Sequence, residues 1–365
     1  MKERRINLDY LNLYQEIPLF CALIAASLFR AKPRAPTGRI LIVNTCLIGE
    51  FAASLPAIRD YIERHEGAAV DLVVSPPLKP LAERVRGVHT VYTARSLYGR
   101  QDEKAACARE KLPAYDTVFV MRISKDAFSL VRRVAAGWVR TGLREYAGYA
   151  LHLWGSLLTR RPPKQWRELN FKMLGGTLRA VPFENIFDLT PSDWAALKRL
   201  TALDTPDKKV IIHTDASWPM KKWSLDRWVE FIRRAHGLGA LRFIFVGGAG
   251  AAGDYEYIAS RVDTPVYSLI NQVNLFELLL VLRTSDYFIG VDSGPRNLAH
   301  LAGTPTVAIF GPGPHFYMPW SAGDAVIDKS RGRGLLQMFF ATKRGFIHQI
   351  TANEVYDAFR GILTA

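Results

Sequence analysis

The sequence predicts an α/β protein of two doubly wound parallel-sheet domains, on three observations. Short, almost wholly apolar runs such as Ile40–Val43 and Val210–His213 have the composition of strands buried on both faces. Helical patterns separate such runs along the chain, the alternation that produces crossover connections and a parallel sheet. In each half a polar turn directly follows an apolar run, and α/β sheets hold their ligands at the C-terminal ends of strands.

With 365 residues and 49% apolar content, the chain can bury the cores of two domains. The formal net charge of +14 implies an anionic partner or surface, and nucleic acid, anionic lipid and phosphorylated glycan all qualify. Nucleic acid is the poorest fit, because the charges are dispersed and no aromatic-basic platform or recognition motif occurs. Cys21, Cys46 and Cys107 are odd in number and show neither C-x-x-C nor Cys/His spacing. That argues against a disulfide framework or zinc site and fits a reducing compartment. No bound metal or cofactor is expected.

Residues 1–38 read as an N-terminal extension. Ile17–Phe29 carries no charge and is followed by Arg30, Lys32 and Arg34, but a helix of that length spans only roughly 20 Å of a roughly 30 Å hydrocarbon core. It should not cross a bilayer. Asp9 and Glu16 precede it and no small-residue cleavage site follows convincingly, which argues against a signal peptide. Phe20, Leu23, Ile24 and Leu28 make one apolar face. That face fits a helix lying on an anionic leaflet and equally a helix packed on the protein itself. Pro33, Pro36 and Gly38 then read as a linker.

The first domain is expected over residues 39–185. After Ile40–Val43 comes a turn, Asn44–Gly49, leading into a helix whose first turn carries Glu50 and which continues through Arg59. Further apolar runs follow at Val70–Val74, Val88–Tyr92 and Thr117–Met121, the last meeting Arg122. Glu50 thus sits at a C-terminal strand end, where a carboxylate can accept a proton or simply serve the helix dipole. Arg59, Arg122 and the many later basic residues of this half suit a phosphorylated or carboxylated ligand, and a solvated basic face explains many of them as well.

The second domain is expected over residues 186–350, with Pro182, Pro191 and Pro206 punctuating the connection. Trp194–Leu203 reads as a helix capped by Ser192 or Asp193. Val210–His213 reopens the strand pattern and ends in a loop carrying Ser217, Lys221 and Trp223. Trp228, Phe231 and Ile232 then form a buried helical stripe. Gly248-Ala-Gly250-Ala-Ala-Gly253 is a formal G-x-G-x-x-G ahead of Asp254, the one motif favouring a nicotinamide or flavin enzyme. Against that, its strand is the second of this half, and the next strand ends in Leu269–Asn271 without an acid. Residues 331–347 read as a loop, and residues 351–365 as a closing helix capped through Thr351 and Glu354.

The most informative stretch runs from Arg283 to Pro312. Tyr287–Val291 meets Asp292-Ser293-Gly294-Pro295, followed by a helical pattern stopped by Gly303 and a second apolar run, Thr306–Phe310. A helix N-terminus at such a turn favours an anion. Ser293 and Gly294 offer a hydroxyl and close backbone approach to a phosphate, whereas Asp292 reads as a helix cap or as an orienter of other groups.

Asp292-Ser-Gly-Pro-x-x-Leu-Ala-x-x-Ala-Gly-Thr-Pro-Thr-Val-Ala-Ile-Phe-Gly-Pro312 resembles the C-terminal signature of glycosyltransferase family nine, the lipopolysaccharide heptosyltransferases. The family pattern has a histidine two residues after Pro295, where this chain has Asn297, with His300 one helical turn further on. The family's Leu-Gly-Asp ahead of a Leu-Pro-Ala helix is matched by Ile48-Gly49-Glu50 and Leu55-Pro56-Ala57. Its Gly-Ala-Ser-x-x-x-Lys-x-Trp pattern is matched through Ser217, Lys221 and Trp223. The resemblance implies the GT-B architecture, two Rossmann-like domains facing a cleft, and an inverting, metal-independent glycosyltransferase. On that basis Glu50 is the expected base, and Ser217, Lys221, Asp254, Asp292, Ser293, Gly294 and Asn297 the expected donor-binding set. Arg59 and Arg122 fall on the acceptor side. The implied donor is ADP-heptose, the acceptor an anionic lipid-linked oligosaccharide, and the location the cytoplasm, including the membrane surface. The departures at Glu50 and Asn297 keep open a non-catalytic glycan- or nucleotide-binding relative.

Overall fold

The computed structural model describes residues 18–25, 36–95, 112–142, 144, 166–216, 219–311, 321, 323–329 and 346–364. The chain divides into two compact units, changing from the first to the second between Phe187 and Asp188, with Ile48–Ala53 grouped with the second.

The first unit contains β1 (Arg39–Asn44), most of α1 (Ile48–Arg64), β2 (Ala69–Val74), β3 (Val88–Thr93), β4 (Tyr115–Arg122), α2 (Lys125–Val131), β5 (Ala136–Thr141) and α3 (Trp166–Met173). Its five strands are parallel in the order β3-β2-β1-β4-β5. The chain leaves β1 to build one side of the sheet and returns to β4 to build the other, so the strand order reverses between β1 and β4. That is where an open α/β sheet forms a ligand crevice. The apolar run of β1 is buried from Ile40 through Val43, as a strand covered on both faces must be.

At the N-terminal strand ends the first unit is tied by polar side chains. Asp71 on β2 is fully buried and accepts from the Tyr115 hydroxyl at 2.8 Å and from Arg39 Nη2 at 2.9 Å, with His89 Nδ1 at 3.1 Å. Asp116 accepts from the Thr37 N–H at 2.7 Å and the Gly38 N–H at 2.8 Å, bonds that hold its carboxyl below the ordinary value. Tyr115 and Asp116 therefore anchor the entry into β1.

The second unit contains α4 (Pro191–Ala196), β6 (Lys208–His213), α5 (Leu225–Ala235), β7 (Leu241–Phe245), α6 (Ala252–Ala259), β8 (Val266–Ser268), α7 (Leu275–Arg283), β9 (Tyr287–Val291), α8 (Gly294–Ala302), β10 (Thr306–Phe310), β11 (Ala325–Asp328) and α9 (Ala352–Leu363). The order is β11-β10-β9-β6-β7-β8, again all parallel. The reversal here lies between β6 and β9.

Local signals account for several helix ends. Gly303 adopts φ +76°, the left-handed geometry that stops α8. Glu354 accepts from the Thr351 N–H at 2.9 Å, and Thr351 Oγ1 from the Glu354 N–H, starting α9 as expected. The helix expected over 194–203 is shorter and begins earlier. Thr190 is the N-cap residue, with Asp193 reaching back to its N–H at 2.8 Å and Pro191 in the first turn, and 3₁₀ turns replace α-helix after Ala196.

The core of the second unit follows the predicted stripe. Trp228, Phe231 and Ile232 are fully buried, and Phe359 of α9 meets the Phe231 ring at 6.0 Å and Tyr287 at 5.4 Å. Residues 18–25 are helical, with Phe20 and Leu23 buried and Ile24 40% exposed. Two residues of the supposed membrane face are thus already covered by the protein; Leu28 lies outside the described residues. Among the described residues no helix is long and apolar enough to cross a membrane.

Because α9 completes the second core through one buried ring, Phe359→Ala is expected to cost about 3–5 kcal/mol. Urea unfolding followed by tryptophan fluorescence measures this.

Candidate functional site

The reversal between β6 and β9 places the loops after those two strands side by side. The β6 loop carries Lys221 at the end of a 3₁₀ turn (Pro219–Lys221), and the β9 loop carries Asp292 and Ser293. Lys221 Nζ donates to Asp292 Oδ2 at 2.5 Å, with both side chains mostly covered (21% and 14% exposed). The acid expected as a helix cap is thus paired with a cation, and the N-cap position belongs to Ser293.

Ser293 makes no side-chain cap bond, and its Oγ is buried without a hydrogen-bond partner. A buried hydroxyl without a partner carries a desolvation cost that a bound acceptor or donor relieves. It stands at the N-terminus of α8, where backbone N–H groups and the helix dipole favour an anion.

Two glycines let backbone approach this corner. A Cβ on Gly294 would lie 2.8 Å from Ile48 Cβ, and one on Gly49 would overlap Asn297 Nδ2. Ile48–Ala53, including Gly49 and Glu50, accordingly groups with the second unit. Glu50 lies in the first turn of α1. Asn297 is buried on α8, donating from Nδ2 to the Ser293 carbonyl at 3.2 Å and accepting from Arg296 Nη2 at 2.7 Å. His300 is engaged elsewhere, 3.6 Å from Asp324 and 3.5 Å from Ser321 Oγ.

The glycine-rich turn after β7 sits beside the β6 loop. Thr214 Oγ1 donates to Asp254 Oδ2 at 3.0 Å, and Lys222 Nζ lies 2.6 Å from Asp215 and 3.9 Å from Asp254. Burial works against the Lys222 charge, but its Asp215 and Asp254 partners hold the ammonium above the ordinary lysine value. This charged cluster was not foreseen, because Lys222 and Asp215 stand in a loop with no periodic pattern. The turn follows the second strand of its sheet, not the first, so the dinucleotide reading loses its structural context.

Of the other expected residues, Ser217 lies outside the described residues. Arg122 is buried at the end of β4, where its carbonyl accepts from the Thr45 N–H at 3.4 Å. Arg59 bonds to the Asn185 carbonyl at 2.7 Å and the Arg86 carbonyl at 3.4 Å and pairs with Glu63 at 3.2 Å. Its guanidinium is therefore a tie within the first unit, a role that depends on the fold of residues 86 and 185 and was invisible in the local sequence.

The family model described as "Glycosyltransferase family 9 (heptosyltransferase)" matches residues 113–334, more than half of the chain. The chain belongs to glycosyltransferase family 9. It is 22% identical over 295 residues to lipopolysaccharide heptosyltransferase 3 of Escherichia coli, covering 75% of this chain and 84% of that protein. Among solved structures, a family 9 glycosyltransferase from Veillonella parvula superposes with a TM-score of 0.72 at 15% identity, covering 91% of this chain and 99% of that one. E. coli heptosyltransferase WaaC, solved with ADP, gives a TM-score of 0.58 at 19% identity, covering 89% and 98%. The chain is thus a glycosyltransferase of two parallel α/β domains, the GT-B fold.

One buried group makes the stability of this region depend on pH. His213, at the end of β6, donates from Nδ1 to the Val246 carbonyl at 2.9 Å, and burial holds its pKa below the ordinary value. A depressed histidine contributes stability that is complete above its unfolded pKa of about 6.5 and is lost as pH falls toward the folded value. Thermal unfolding between about pH 7.5 and pH 5 should show this decline, and His213→Asn, which keeps a donor but cannot titrate, should flatten it.

Proposed function

We propose that the chain transfers a sugar, with inversion, from a nucleotide-activated donor to an anionic glycan acceptor. ADP-heptose and a lipid-linked lipopolysaccharide-core acceptor are the substrates favoured by the relatives it resembles. The observation that carries this reading is the Lys221–Asp292 pair beside the partnerless Ser293 hydroxyl and the N-terminus of α8, all at the strand-order reversal.

In the reaction an acceptor hydroxyl attacks the anomeric carbon as the bond from that carbon to the diphosphate oxygen breaks. The hydroxyl proton passes to Glu50, and the electron pair of the broken bond leaves on the diphosphate. Lys221 brings a positive charge that its bond to Asp292 holds in place. Together with Ser293, the Gly294 backbone and Asn297 it stabilises charge on the leaving group. Ser217, matched to the family pattern, joins this set in the reading, and Asp254, held by Thr214 and Lys222, faces the donor ribose. Arg122 is assigned to the acceptor. No metal is needed, because fixed protein charge and helix dipole do that work. A dry, closed site would limit hydrolysis of the donor.

Glu50→Gln is expected to lower kcat by about 10²-fold or more while ADP affinity, measured by calorimetry, stays within about twofold. Equal turnover by the variant would remove Glu50 from the mechanism. Treatment with EDTA should leave transfer unchanged, and a loss restored by Mg²⁺ would overturn the metal-independent reading.

A further inference from the structure

Arg296 is the second residue after Gly294 in α8 and is only 2% exposed. A guanidinium remains charged in proteins, and burying a charge is costly unless it is hydrogen-bonded and paired. Burial weighs most on this group and holds its pKa below the ordinary arginine value, and its surroundings offset that cost only in part. Nη2 donates to Asn297 Oδ1 at 2.7 Å, the guanidinium carbon lies 6.0 Å from the Phe310 ring centroid, and Asp292 and Asp324 favour the charge.

Two of these neighbours, Asn297 and Asp292, belong to the donor cradle described above. Arginine offers donors and no acceptor, so it can meet only the oxygen end of the Asn297 amide. The amide nitrogen must then face the other way, and there it donates to the Ser293 carbonyl at 3.2 Å, beside Gly49. An amide nitrogen carries two hydrogens. With one on the Ser293 carbonyl, the second is left to a ligand oxygen at the corner where α8 begins. Without Arg296 the amide can turn over and present its oxygen, which would repel a phosphate.

We propose that Arg296 is a positioning residue for the donor diphosphate, its buried guanidinium locking the Asn297 amide so that an N–H group, never the carbonyl, meets the anion. The inference rests on the donor-site reading given under Proposed function. Arg296 itself touches no substrate; it acts through Asn297, and Asp292 favours its charge.

The test is a double-mutant cycle on ADP binding by titration calorimetry in the full chain, with Arg296→Met, Asn297→Ala and the pair. Each single change is expected to weaken ADP binding about tenfold, the scale of one charge-assisted hydrogen bond. The double variant should bind no more weakly than Asn297→Ala alone, because Arg296 works through that side chain. Losses that multiply in the double variant, or an Arg296→Met protein within about twofold of wild type, overturn the proposal. Should Arg296→Met fail to fold, Arg296→Lys replaces it in the same cycle. That variant keeps the charge but not the planar fork, so it should still lose affinity, and full wild-type affinity would overturn the amide-locking role. Lys221→Ala separates the two levels of argument. If neither Lys221→Ala nor Asn297→Ala alters ADP affinity, the donor-site reading fails; if both do and Arg296→Met does not, only the positioning role fails.

Discussion

The second unit is organised around the ion pair between Lys221 and Asp292. These side chains come from loops that are 71 residues apart in sequence, and they meet because β6 and β9 are neighbours at the point where the strand order reverses. A parallel sheet supports such a corner because its crossover helices cover both faces and leave only the strand ends open. Once the two central strands are fixed, the loop after β6 and the start of α8 are fixed with them. The pair also resolves a conflict, since an acid in an anion-binding turn would repel its ligand. Bound to Lys221, Asp292 has its charge balanced within the turn.

The same logic of opposed ends runs through the first unit. Polar groups there, the buried Asp71 with Tyr115 and Arg39, and Asp116 with the Thr37 and Gly38 backbone, lie at the N-terminal strand ends and hold the sheet together. The C-terminal ends of β1 and β4 carry the turn toward Gly49 and the residue Arg122. The polar ties thus gather at one end of the sheet, opposite the loops that follow β1 and β4.

The legible part of this fold was the part written in short-range patterns. Apolar runs located the strands, Gly303 and the Thr351–Glu354 capping box located helix ends, and the family-like segment from Asp292 to Pro312 located the turn between β9 and α8. What stayed illegible depended on partners far along the chain. Arg59 looked like one more basic residue near a ligand, and only its bonds to the carbonyls of Asn185 and Arg86 reveal a structural tie. Asp292 could be read as a helix cap or as an orienter of other groups, and only β6, by bringing Lys221 to it, decides for the second. The cap expected at Ser192 or Asp193 moved to Thr190 because Pro191, lacking an N–H, is better placed inside the first turn, where no intrahelical bond is required of it.

Asn297 illustrates why a departure from a family pattern need not remove a function. A histidine titrates near neutrality and can present either a donor or an acceptor at a given nitrogen. An amide does not titrate, but its two ends are opposite in polarity and nearly equal in shape, so it serves as a donor only when something decides which end faces the ligand. Here that decision comes from the adjacent residue in sequence, whose side chain is almost completely buried. Gly49, where any Cβ would collide with the amide nitrogen, leaves the space that this amide occupies. The substitution at position 297 therefore makes physical sense only together with Arg296 and Gly49, and the three residues are best read as one unit.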